Sequence, residues 1–277
     1  MPRLEAALVD AYDTIVTCDF VPLRRGVPTL AGIPSAAWEQ EYDLISPMLN
    51  DGRLSKAQAF RQIVANCGAQ APDDLIAEMV RRDQELLLAN ARLYDDVIPF
   101  LTRLRERGIK IAIVSNCTEN TRAMLVATGV DDLADELVLS CEVGSAKPAP
   151  GIFTCALDRL GVTADAAVFI DDQPAFCAGG VAAGIRTVQI VRGELDEPRL
   201  LAVDPAADLD AVRAGLSAFE KACTEGPLAG RPLGERFRWL TAPRSTIVQP
   251  GPVHSGLTAD PAAELTHLFD TLVRVTP

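Results

Sequence analysis

The sequence predicts an α/β protein built on a mainly parallel β-sheet. Three observations carry this: apolar runs at 8–16, 113–120 and 168–176 that break on Asp or Ser, strand-like and helix-like segments alternating from residue 109 onward, and a long helical stretch between the first two strands. An apolar run ending on a polar residue is what a strand buried on both faces looks like when it delivers a side chain to a sheet edge. Alternation of strands and helices implies right-handed crossovers, which gather the strands' carboxyl ends along one edge.

Residues 4–10 read as the first strand, and the next apolar-periodic strand does not come until Ile109–Val114. The interval reads as helices over 34–50, 55–68, 72–90 and 95–107. Pro34-Ser35 opens the first, Gly52 and Gly68 punctuate, and Pro72-Asp73-Asp74 sets acids where a helix dipole favours them. From Leu75 to Leu88 apolar residues recur at helical spacing. After the strand at 109–114 the expectation is a helix near 119–128, a short strand at 136–140, a helix near 150–160, a strand at 166–171, a helix near 174–183 and a strand at 186–191. Gly179, Gly180 and Gly184 suit close packing of a helix on the sheet; no GxGxxG follows strand one to suggest a nucleotide cradle. Beyond Arg192, Asp204-Pro205 and Asp260-Pro261 suit helix starts, with a Pro- and Gly-rich stretch at 226–256 that holds Trp239 between them.

At 277 residues and 48% hydrophobic, the chain is long enough for one large domain with a substantial insertion. A net charge of −12, with no clustering of Lys and Arg, argues against a nucleic-acid groove. No apolar run reaches the roughly 18 residues of a membrane span, so a soluble, cytoplasmic protein with a small-molecule partner is expected. The seven cysteines are scattered, without a CxxC pair, and read as reduced and structural. His254 and His267 fit no metal-ligand spacing.

Asp10 ends the first strand, and Asp171 and Asp172 end a later one, so three carboxylates converge on one sheet edge. Lys147 supplies one positive charge, and a hard divalent cation would offset the rest. Magnesium suits the case because it takes few carboxylates and binds phosphate oxygens directly. Beside such a cation Asp10 is a candidate nucleophile toward phosphorus, with Ser115 and the backbone amides after it holding phosphate oxygens.

The set Asp10-x-x-x-Thr14, Ser115-Asn116, Lys147-Pro148 and Asp171-Asp172, in that order within residues 4–191, resembles the haloacid dehalogenase superfamily with a helical cap inserted after the first strand. The resemblance implies a Rossmann-like three-layer α/β core with an all-helical cap, and magnesium-dependent hydrolysis of a small-molecule phosphomonoester through an aspartyl-phosphate. By it Asp10 is the nucleophile, Asp172 a magnesium ligand supported by Asp171, and the Tyr12 carbonyl a further ligand. Thr14 and Ser115 position nucleophile and phosphate, and Lys147 neutralises both. The corresponding partition is a catalytic core over 1–16 and 95–220, a cap over 17–94 and a loop-rich extension over 221–277.

One position departs from the phosphatase pattern. Members that hydrolyse phosphoesters usually place a second Asp two residues after the nucleophile to protonate the leaving oxygen, and here Tyr12 stands there. Asp10-Ala11-Tyr12 resembles the dehalogenase branch, whereas Asp171-Asp172 resembles the metal-dependent branch, and Phe176 falls where a dehalogenase would want a further Asp. Arg24 and Arg25 are candidates for binding halide or substrate at the cap mouth. Asp13 is a poor substitute for the missing acid, being one residue out of phase. Two alternatives stay open: a 2-haloacid dehalogenase-like hydrolase acting at carbon, and a non-hydrolytic binding role. Asn116 suits either a helix cap or a site role, Cys117 reads as a bystander, and Trp38, Tyr42 and Phe60 either line the substrate pocket or pack the cap.

Overall fold

The computed structural model describes residues 3–190, together with 201–202, 221 and 225. The helices expected after Asp204 and Asp260, with Trp239, His254 and His267, lie outside the described residues. In chain order the elements are β1 (Ala6–Val9), β2 (Val16–Cys18), α1 (Val21–Thr29), α2 (Ser35–Asn50), α3 (Lys56–Asn66), α4 (Asp73–Asn90) and β3 (Ala91–Leu93). There follow α5 (Val97–Glu106), β4 (Lys110–Ser115), α6 (Thr121–Thr128), β5 (Glu136–Leu139), α7 (Ser140–Val143), α8 (Pro150–Leu160), β6 (Ala167–Asp171), α9 (Pro174–Ala182), β7 (Arg186–Gln189) and β8 (Leu201–Ala202).

One sheet runs β5-β4-β1-β6-β7-β8, with β8 alone antiparallel at the edge. β1 sits between β4 and β6, with Val9 level with both Ile113 and Ile170. All four of its residues are fully buried, because helices cover both faces. On one face Val9, Ile113 and Ile170 pack with Phe100, Leu101 and Leu104 of α5 and Met124 and Leu125 of α6. On the other, Leu8, Val114 and Phe169 pack with Ile152, Phe153 and Leu160 of α8 and Ala178 of α9. The rings of Phe153 and Phe169 meet edge to face at 5.0 Å, a geometry that adds about 0.5–1.5 kcal/mol beyond burial. Three layers follow from this two-sided burial, as continuously apolar strands require.

Between β2 and β3, helices α1 to α4 close around a separate core of Val27, Trp38, Leu49, Phe60, Ile63 and Met79. Helix α3 opens with a capping box: Ser55 accepts from the Gln58 amide and Gln58 accepts from the Ser55 amide. The bundle is joined to the rest by an antiparallel β2–β3 ribbon. Gly52 permits a close approach between the two parts: its φ is 72°, and a Cβ there would meet the Cys141 carbonyl oxygen at 2.1 Å. Helix α1, the ribbon and the four-residue α7 are absent from the sequence reading. The α1 segment carries Pro22, Gly26 and Pro28, which conceal its helical pattern, and strands of three residues are too short to show an alternation. Among the described residues no helix is long and apolar enough to cross a membrane.

Candidate active site

Asp10 extends β1 by one residue, its amide donating to the Ile170 carbonyl at 2.9 Å, so it stands level with the end of β6. The chain then turns sharply: Asp13 has a left-handed φ of 57° and its amide donates to the Val16 carbonyl. A non-glycine residue held there carries a backbone cost that this turn imposes. Thr14, inside the turn, is fully buried.

Lys147 enters from the loop before α8 and is 3% exposed. Its ammonium donates to Asp10 at 2.5 Å and to Asp171 at 2.6 Å. The rings of Phe169 and Phe176 flank it at 5.5 and 5.0 Å. Burial works against its charge, but Asp10 and Asp171 outweigh that and hold the ammonium above its ordinary pKa. Asn116 fixes this loop by reciprocal bonds: its amide nitrogen donates to the Lys147 carbonyl at 2.8 Å, and its oxygen accepts from the Lys147 amide at 2.6 Å. Asn116 thus positions the Lys147 loop, and the residue that precedes α6 is Asn120. Gly179 on α9 lets the same loop pack closely, since a Cβ would lie 2.8 Å from the Pro148 carbonyl oxygen. Gly179→Ala is therefore expected to displace Lys147 and lower kcat more than it raises KM; an unchanged kcat would show that the loop tolerates the shift.

Asp171 is fully buried, with one oxygen on Lys147 and the other accepting the Gln173 amide at 2.8 Å. Asp172 is partly exposed; Gln173 donates to its carboxylate at 2.6 Å, and Gln189 holds its backbone carbonyl at 2.8 Å. Burial, then the charges of Asp10 and Asp13, push the Asp172 carboxyl up to about 7. Oxygens of Asp10, Asp171 and Asp172 lie within 4.8 Å of one another. Around this cluster the buried hydroxyls of Thr14 and Ser115 have no hydrogen-bond partner. Buried polar groups are seldom left unpaired except where a ligand completes them. Three carboxylates against one ammonium, all hard oxygen donors, fit a magnesium ion and an anion.

Tyr12 turns away from this cluster. Its hydroxyl pairs with Thr121 Oγ1 at 2.9 Å and its ring packs 5.6 Å from Phe20. Burial raises its pKa far above the ordinary phenol value, which makes it a poor proton donor. Tyr12 lines a cavity of about 590 Å³ that runs from Asn116–Thr118 into the helical bundle. Trp38, Tyr42 and Phe60 line it as well and pack on one another, with ring centroids 6.5 and 5.1 Å from Trp38. Arg24 stands exposed on its lining, whereas Arg25, also exposed, is outside it. Deeper in, Lys56 and Asp83 form a buried ion pair, and Asn120 also donates to Asp83, at 2.6 Å. Lys56, Asp83, Asn120 and Gln173 carried no sequence signal, being lone polar residues in helices and loops. A hydrogen bond in which Cys117 donates to Cys141, and then burial, hold the Cys117 thiol well above its ordinary pKa, and the six described cysteines are all free.

Residues 4–184 match the haloacid dehalogenase-like hydrolase family, and residues 185–273 match a family described only as a protein of unknown function. A glyceraldehyde 3-phosphate phosphatase of Methanopyrus kandleri is 32% identical over 206 residues, covering 71% of this chain and 88% of its own. A phosphoglycolate phosphatase of Xanthomonas campestris pv. campestris is 29% identical, over 69% of this chain and 81% of its own. Among solved structures, a HAD family enzyme of Bacteroides thetaiotaomicron superposes with a TM-score of 0.58 at 19% identity, over 70% of this chain and 96% of that one. A 2-haloacid dehalogenase of Pseudomonas syringae pv. tomato gives 0.55 at 21%, over 70% and 91%. Both share the α/β fold with a mainly parallel sheet that the alternating segments predict, of the Rossmann-like kind that the family resemblance implies. The family match spans more than half of the chain, and it takes in every strand that brings a carboxylate to the Lys147 ammonium: the protein belongs to the haloacid dehalogenase-like hydrolases.

Proposed function

We propose that the protein is a magnesium-dependent phosphatase acting on small-molecule phosphomonoesters in the cytoplasm. The observation that carries this reading is the group of Asp10, Asp171 and Asp172 around a single buried ammonium, three carboxyl groups that one positive charge does not balance. A halide-releasing site at carbon needs no cation and gains nothing from that acidic pair. The names of the curated relatives point the same way.

In this reading residues 1–16 and 95–220 form the catalytic core, 17–94 the cap over it, and 221–277 an extension. Asp10, the Tyr12 carbonyl and Asp172 hold the magnesium, with Asp171 supporting. When bound, the ion offsets the carboxylate charge and withdraws charge from the phosphoryl oxygens. Asp10 attacks phosphorus, the P–O bond to the alcohol breaks, and the phosphoryl group rests on Asp10 as an acyl phosphate that water then hydrolyses. Lys147 balances the charge of nucleophile and phosphoryl group. Thr14 and Ser115 donate their unpaired hydroxyls to Asp10 and phosphate oxygens, and Arg24 meets the substrate at the cavity mouth.

The position two residues after Asp10 carries no carboxylic acid, and the Tyr12 hydroxyl that stands there is committed to Thr121. A lost general acid costs roughly 10²–10⁴-fold, a penalty that falls on alkoxide leaving groups and spares stable ones. Turnover is thus expected to fall steeply from p-nitrophenyl phosphate to glycerol phosphate. Equal rates on the two would remove this account of Tyr12.

The identifying assay is phosphate release from p-nitrophenyl phosphate with and without magnesium, beside halide release from 2-chloropropionate. Halide release without metal would make Tyr12 the informative residue and return the protein to the dehalogenase branch. Magnesium is also expected to stabilise the chelator-stripped protein. At a hundredfold excess over Kd a ligand contributes about 2.7 kcal/mol, or roughly 5–10 °C in Tm for a chain of this size. Asp172→Asn should lose most of that shift in a thermal melt, and a full shift in the variant would place the ion elsewhere.

A further inference from the structure

We infer that the alcohol half of the substrate is an uncharged, ring-bearing group, and that the cavity selects against phosphoesters carrying a second acidic function. The inference rests on the phosphatase reading and deepens it. It begins with size: the cavity beside the site is about 590 Å³. At the roughly 30 Å³ that one water-sized group occupies, a two- or three-carbon alcohol would fill only a minor part of it. Its walls include Phe20, Leu23, Trp38, Tyr42, Phe60 and Leu87, four of them aromatic. Such a surface is complementary to a flat or bulky hydrocarbon and offers little to a short polar chain.

Charge points the same way. The charged side chains lining the cavity are Arg24, Glu39, Asp43, Lys56 and Asp83, a formal sum of −1. Arg24, Glu39 and Asp43 are exposed, and the Arg24 charge acts on Asp43. The buried cation is Lys56, and its ammonium is already bound by Asp83, itself held by Asn120 at 2.6 Å. An extra carboxylate entering with the substrate would leave water for aromatic walls and meet no uncommitted buried cation among the described lining residues. Burying a charge without a partner is strongly unfavourable, so the cavity rejects acids as long as Asp83 neutralises the one buried cation on its described lining, Lys56. This sets the chain apart from relatives named for phosphoglycolate.

The test uses two substrates on the full-length protein with magnesium: 4-(carboxymethyl)phenyl phosphate and its methyl ester, which share a ring and, because a methylene insulates the phenol, have leaving groups of similar acidity while differing by one charge. Phenyl and 2-naphthyl phosphate, whose leaving groups are of similar acidity, supply the size comparison. The expected result is a kcat/KM at least thirtyfold higher for the ester than for the acid, and higher for naphthyl than for phenyl. Asp83→Asn frees the Lys56 charge and should narrow the ester-to-acid ratio tenfold or more, through a lower KM for the acid. The charge-free double variant Lys56→Met/Asp83→Leu should keep the wild-type preference, which guards against misreading a misfolded Asp83→Asn. An acid turned over as well as its ester by the wild-type protein overturns the inference while leaving the phosphatase reading intact. No phosphate released from any of the four, nor from p-nitrophenyl phosphate, overturns that reading and the inference with it.

Discussion

Asp10→Asn is expected to abolish phosphate release from p-nitrophenyl phosphate, lowering kcat by 10⁴-fold or more, about 5.4 kcal/mol of barrier. The amide keeps the shape of the side chain but is no nucleophile toward phosphorus. Folding should survive, because Lys147 retains Asp171 as a partner at 2.6 Å and one of three crowded carboxylates is gone. Parallel melting curves and activity assays separate the two effects. A variant that keeps activity within tenfold of the wild type would move the nucleophile away from Asp10.

Lys147→Met is expected to fail in a different way. It leaves Asp10 and Asp171 buried side by side with no cation; breaking a buried pair by removing one partner typically costs about 3–5 kcal/mol. At roughly 2–4 °C per kcal/mol for a chain of this length, Tm should fall by about 10 °C. Activity should be lost as well, since the ammonium holds Asp10 and, in the proposed mechanism, balances the charge of the phosphoryl group. Adding Asp171→Leu should recover part of the lost stability and none of the activity, because well-packed apolar groups can replace a buried ion pair without loss. Were Lys147→Met as stable as the wild type, the charge balance drawn around this site would be wrong.

Much of the architecture was legible because burial leaves a mark on sequence. The fully apolar Ala6–Val9, Ile111–Val114 and Ala167–Ile170 could only be strands covered on both faces, and their polar terminal residues marked one edge. Helices α2, α3 and α4 declared themselves through Pro34-Ser35, the punctuating Gly52 and Gly68, and Pro72-Asp73-Asp74, and α4 also through apolar residues at helical spacing. Helix α1 did not, because its two prolines and Gly26 break the pattern read for a helix, while its burial against α4 supplies the stability that propensity withholds.

The sequence by itself determined the fold class, the succession of core strands and helices along the chain and which residues stand at those strands' carboxyl ends, because each of these follows from local periodicity and from chain order. Only the tertiary structure decided how those residues meet. Asn116 fastens the Lys147 loop across 31 residues, Thr121 captures the Tyr12 hydroxyl across 109, and Asp83 joins Lys56 on one helix to Asn120 beyond another. No spacing rule links such positions. Their partnership arises when separate elements are packed against one sheet and each buried polar atom must find its partner among whatever the packing brings near.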